Sequence, residues 1–67
     1  MITLGERIAE MREVRGLKRC ELAEWLGVSN SSIGRWERNQ ATPTIWNIID
    51  LCDIFNVSLD CFFERLR

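Results

Sequence analysis

The side chains with the most specific chemistry are gathered in one run, Ser29-Asn30-Ser31-Ser32-Ile33-Gly34-Arg35-Trp36-Glu37-Arg38. Wound as an α-helix at about 100° per residue, Asn30, Ser31, Gly34, Arg35 and Arg38 share one stripe, while Ser32, Ile33 and Trp36 turn the other way. That stripe offers amide, hydroxyl and guanidinium groups and no carboxylate. A helix fits the major groove of B-DNA, where Asn makes paired hydrogen bonds to adenine, Arg makes them to guanine, and Ser either donates or accepts. The chemistry on offer is recognition of base edges in duplex DNA.

Other chemistries find little to work with. Three cysteines, Cys20, Cys52 and Cys61, form no CxxC pair and have no histidine beside them in the chain, so neither a zinc site nor a disulfide framework is indicated, and no cofactor is expected. Without histidine the usual base for activating Ser31, Ser32 or a thiol is missing, and the carboxylates do not cluster around an apolar cleft. No catalytic residue is assigned and an enzyme is not expected. Redox sensing by Cys20 or Cys61 is not expected, and Cys52 reads as core. The odd cysteine count fits a reducing compartment, and no signal peptide or membrane-length apolar run is seen, so a cytoplasmic location is expected and no membrane partner.

The overall charge argues against a nucleic-acid binder until it is divided. Net charge is −1 and the pI about 5.3, whereas affinity for duplex rests on phosphate neutralisation by Lys and Arg. Residues 1–43 hold seven basic and six acidic side chains, residues 44–67 two basic and four acidic. Between Trp25 and Ile49 the one acid is Glu37, flanked by Arg35 and Arg38. An acid-poor face can therefore coexist with an acidic whole.

The elements that must carry this stripe are legible as helices. With 67 residues, 46% hydrophobic and 28% charged, residues 1–67 read as one all-α domain with a modest core. Thr3-x-x-Glu6 forms a capping box for a helix over about residues 4–15, whose Leu4, Ile8 and Met11 make a stripe before Gly16. A second helix over about residues 18–26 lines up Leu22, Ala23 and Leu26 and stops at Gly27. Ser29 caps the third, about residues 30–38, and Asn39 tolerates the left-handed conformation that ends it. Pro43-Thr44 opens a fourth, with Ile45, Ile48, Ile49, Cys52 and Phe55 at three- and four-residue steps. Ser58 caps a fifth, with Leu59, Phe62, Phe63 and Leu66 expected inward.

Helices two and three, joined by a tight glycine turn, form the informative unit: Leu22-Ala23-x-x-Leu26-Gly27-Val28-Ser29, running into Ile33 and Trp36. With Gly16-Leu17, Glu21, Gly34-Arg35 and Glu37, Pro43-Thr44 and Val57-Ser58-Leu59-Asp60, the chain resembles the Cro and phage-repressor type of helix-turn-helix regulator. The resemblance implies a compact five-helix, lambda-repressor-like domain that lays its third helix in the major groove and binds a two-fold operator as a homodimer. It assigns base contact to Asn30, Ser31 and Arg35, and backbone contact to Lys18, Arg19, Ser29, Ser32, Arg38, Asn39 and Gln40. It pairs Glu37 with Arg12 as a structural ion pair. Lys18 and Arg19 depart from the family's pattern of a capping Ser or Thr followed by Gln. That loses a cap worth about 0.5–2 kcal/mol and sets two cations at a positive helix end, a conflict that a bound phosphate relieves.

Three further features have two readings each. Gly34 costs roughly 1 kcal/mol relative to Ala inside a helix, and either lets DNA approach closely or marks an empty position. Trp25 and Trp46 fall where the family usually carries polar residues; such indoles either anchor a protein partner or lie across their neighbours. Self-association is expected to be weak and to use Phe62, Phe63 and Leu66. The alternative function is a protein-interaction module on the same fold, of the antitoxin or anti-regulator kind.

Overall fold

The computed structural model describes residues 2–66, and within them the chain forms five helices: α1 Leu4–Val14, α2 Arg19–Leu26, α3 Asn30–Glu37, α4 Ile45–Phe55 and α5 Leu59–Phe63. Side-chain caps set four of the starts. Thr3 and Glu6 exchange both bonds of a capping box, and Ser29, Thr44 and Ser58 accept from the amides of Ser32, Asn47 and Cys61. At α2 the N-cap is Lys18, which has no acceptor to offer; only the reciprocal half of a box forms, Lys18 N–H donating to Glu21 Oε1 at 2.8 Å. Gly16 and Gly27 end α1 and α2 with φ of 67° and 73°, and Asn39 and Asn56 take the same left-handed region after α3 and α4.

Ile8, Leu22, Ile33, Leu51, Phe55 and Phe62 are fully buried, one from each of α1, α2, α3 and α5 and two from α4. The helices close around them, α1 and α2 packing on α3 and α4 packing on α2 and α5. Where α1 crosses α3, a Cβ on Gly5 would stand 2.2 Å from the carbonyl oxygen of Trp36 and 2.7 Å from that of Glu37. Only glycine permits so close a crossing. Asn39 locks it: its Oδ1 accepts from Gly5 N–H at 3.0 Å and its Nδ2 donates to Thr3 Oγ1 at 2.8 Å.

The C-terminal end differs from the sequence reading. Helix α5 stops at Phe63, and Leu66 lies beside Ile2 in an isolated parallel bridge, with Ile2 N–H donating to Arg65 O at 3.2 Å. Of the four apolar residues expected inward, Leu59 and Phe63 are exposed and Leu66 is half-buried. Phe62, 0% exposed, is a core residue, which removes it from the expected dimer surface; it is the one side chain of α5 that is fully buried. Ile45 is likewise 53% exposed, since it opens the first turn of α4 beyond the reach of its neighbours. Arg7, by contrast, is buried in α1. Its guanidinium donates to the carbonyls of Phe62 and Cys61 at 2.9 Å each and to Glu10 at 2.7 Å, tying α1 to α5.

Candidate nucleic-acid interface

The surface built by α2 and α3 rests on one buried carboxylate. Glu37, in the last turn of α3, accepts from Arg12 Nε at 2.7 Å and Nη2 at 3.1 Å, a two-toothed contact from α1. The same carboxylate accepts from Arg19 Nε at 2.8 Å, so α2 joins the pair. Burial pushes the Glu37 carboxyl up, but hydrogen bonds from Arg12 and Arg19 outweigh it and hold the group below its ordinary range. Arg12 Nη1 also donates to Leu17 O at 2.8 Å, fixing the turn into α2. Three helices are thereby registered by one acid, and that acid is withdrawn from the surface. The resemblance paired Glu37 with Arg12 alone; the cation standing where the family carries Gln was the signal for a third member.

The outward side of α3 is free of such ties. Asn30, Ser31 and Arg35 are exposed, and among the described residues no side-chain hydrogen bond or ion pair engages them. Ser29 and Ser32 sit at the start of the helix, where Ser29 Oγ accepts from Ser32 N–H at 3.1 Å and the two hydroxyls lie 2.9 Å apart. Arg12, Lys18, Arg19, Cys20 and Asn30 line an open concavity of about 480 Å³ beside the first turn of α2. It combines three cations with the helix end whose backbone amides favour an anion.

The loop after α3 divides. Gln40 is exposed, with its N–H on Arg35 O at 2.8 Å, whereas the Asn39 amide is spent on Gly5 and Thr3 and has a structural role that the sequence did not disclose. Arg38 is exposed at the C-cap of α3. Trp36 is core, while Trp25 and Trp46 are 59% and 73% exposed. Cys20 is exposed and Cys52 buried, where burial raises its thiol further. Among the described residues no group of three or more His, Cys, Asp or Glu side chains is placed to hold a metal, and no helix is long and apolar enough to cross a membrane.

Comparison with known proteins agrees with this geometry. A family model described as "Helix-turn-helix domain" matches residues 3–61. An HTH-type transcriptional regulatory protein of Pyrococcus furiosus is 44% identical over 55 residues, covering 82% of this chain and 18% of that protein. The HTH-type transcriptional regulator ImmR of Bacillus subtilis is 32% identical over 59 residues, 88% of this chain and 46% of its own length. The chain thus spans less than half the length of these curated relatives. Among solved structures, the P22 c2 repressor bound to a synthetic operator superposes with a TM-score of 0.83 at 31% identity, covering 92% of this chain and 94% of that one. SinR in complex with DNA gives 0.81 at 32% identity, covering 91% and 98%. Similar to these proteins in sequence and fold across most of its length, the chain belongs to the helix-turn-helix domain family, of the Cro and phage-repressor type.

Proposed function

We propose that this chain is the DNA-binding part of a transcriptional regulator that represses by occupying a two-fold operator as a dimer, with α3 in the major groove of each half-site. The observation that carries the reading is the contrast on α3: its one acid is buried under two arginines, and its exposed stripe keeps Asn30, Ser31 and Arg35 free. Asn30, Ser31 and Arg35 meet base edges. Lys18 and Arg19, beside the amides of the first turn of α2, meet phosphate, and Ser29, Ser32 and Gln40 border the backbone. The domain acts in the cytoplasm, and has no catalytic role. The P22 c2 repressor and SinR, solved on DNA, support the same docking for a chain of this fold.

Selection of bound sequences from a random duplex pool at fixed salt tests this directly. A two-fold consensus with half-sites about one helical turn, roughly 34 Å, apart is the expected outcome. A pool that emerges unenriched, with no salt-dependent binding to any duplex, overturns it. The exposed Trp25 and Trp46 favour a second reading, in which the domain also engages a protein; SinR has been solved with SinI protein as well as with DNA. Quenching of indole fluorescence by a purified partner, with duplex binding unchanged, is the result that supports it.

A further inference from the structure

Gly34 lies on the outward stripe of α3 and yet is buried. What covers it is Arg38: a Cβ on Gly34 would stand 3.2 Å from Nη1, 3.3 Å from Nη2 and 3.6 Å from Cζ of that residue. Side chains on a helix lean toward its N-terminus, so an arginine at the C-cap reaches back by one turn, and the bare backbone at Gly34 receives its guanidinium. At 100° per residue position 34 falls between positions 30 and 31, the middle of the stripe. Among the described residues the Arg38 guanidinium has no carboxylate partner, because Glu37, the adjacent acid, is held by Arg12 and Arg19.

We propose that Gly34 is a seat that carries the Arg38 guanidinium into the centre of the groove-facing stripe, so that Arg38 reads a base edge, that of guanine, rather than the phosphate backbone. The proposal rests on the duplex-binding reading above. An arginine at the end of a recognition helix, extended freely, finds phosphates; one folded over Gly34 presents its planar fork on the stripe that holds Asn30 and Ser31, where N7 and O6 of guanine accept both teeth. Neither an empty position nor a contact of Gly34 itself with DNA is needed to account for the glycine. Arg38 is the specificity-determining residue and Gly34 its positioning residue.

The two roles make opposite demands on stability and binding. Alanine is the better helix former, and the group it crowds is the far end of a flexible side chain, so Gly34→Ala should unfold at the same temperature as the parent or higher. It should nonetheless bind its operator less well. The experiment takes the duplex selected by the full parent chain and measures Gly34→Ala, Arg38→Ala, Arg38→Lys and the double alanine variant on it. The same set is measured on every single-base-pair change of that duplex, at two salt concentrations. Expected is a loss of about five- to 150-fold with Arg38→Ala, confined to one G·C pair whose preference disappears. Gly34→Ala weakens preference at that same pair, and adds nothing once Arg38 is alanine. Arg38→Lys, lacking the fork, fails to restore the preference.

A uniform loss over all sequences with Arg38→Ala, accompanied by a salt slope shallower by about 0.9, is the signature of a phosphate contact and overturns the proposal. So does additivity of the two alanine changes, or a Gly34→Ala protein with the parent's preference. A parent chain that selects no duplex at all overturns both this inference and the reading beneath it; a parent that selects a site indifferent to position 38 overturns only this one.

Discussion

The junction of α1 with α3 and the junction of α4 with α5 are built from different materials. At the first, Glu37 takes bonds from Arg12 and Arg19, Asn39 bridges Thr3 and Gly5, and backbones touch across Gly5. At the second, Phe55 and Phe62 are fully buried with Leu51, and Arg7 of α1 joins α5 by donating to two of its carbonyls. Apolar burial is non-directional and scales with area, whereas hydrogen bonds and hard contacts specify angles. The difference teaches that cohesion and aim are assigned to separate places. The apolar core that α4 and α5 dominate holds the domain together, and the polar crossing sets the direction in which the stripe of α3 faces.

The comparison is broken most readily at the apolar end. Phe62→Ala should cost about 3–5 kcal/mol, enough to unfold a domain of this size at room temperature, read as loss of the helical circular-dichroism signal. A cooperative, near-parental melt would mean that α5 is not where cohesion resides. Gly5→Ala comes next, at about 1–3 kcal/mol, because the atoms it meets are carbonyls of α3 that cannot swing aside. Denaturant midpoints give that figure. The sharper test is whether the folded fraction of Gly5→Ala has lost duplex affinity beyond what its stability explains, as a change of aim requires.

Acid tests the polar junction more gently. Glu37 is held below its ordinary range when folded, so its contribution is complete above the unfolded value and is lost as pH falls through the lower folded one. Glu6 and Glu10 are lowered as well, by Thr3 and by Arg7 respectively. Melting between about pH 5 and pH 2 should therefore show a stability decline, and Glu37→Gln should flatten it in part. An unchanged slope in that variant would remove Glu37 from the linkage. Smallest in stability is Arg35→Ala on the open stripe: unfolding within about 0.5 kcal/mol of the parent, yet specific affinity lower by about 1–3 kcal/mol with relaxed base preference. Equal losses on specific and random duplex would deny Arg35 its role.

Local signals in the sequence carried most of the fold. Thr3, Ser29, Thr44 and Ser58 at helix starts, and Gly16, Gly27 and Asn39 at turns, act through neighbours three or four residues away, so spacing alone exposes them. Contacts made at long range are hidden from such reading. Arg7 reads as a surface cation until α5, more than fifty residues on, brings two carbonyls over it. Gly5 looks unremarkable until α3 lies on it. Phe62 and Phe63 are adjacent and chemically alike, and which one enters the core depends on where so short a helix begins. At the candidate site the stripe of α3 was readable from periodicity, while the bond from Arg19 to Glu37 and the cover of Arg38 over Gly34 needed coordinates, since flexible guanidinium groups reach in several directions from one Cα.

The pairing of Ile2 with Leu66 has a topological consequence. With Ile2 and Leu66 bridged side by side and Ile2 N–H on Arg65 O, a short glycine and serine segment can splice residues 2 and 66, and the cut can move to the exposed residues 40–42 between α3 and α4. Such a rearranged polypeptide would run α4, α5, α1, α2, α3, beginning with α4 and finishing with the helix-turn-helix unit, the same helices in a cyclically shifted order.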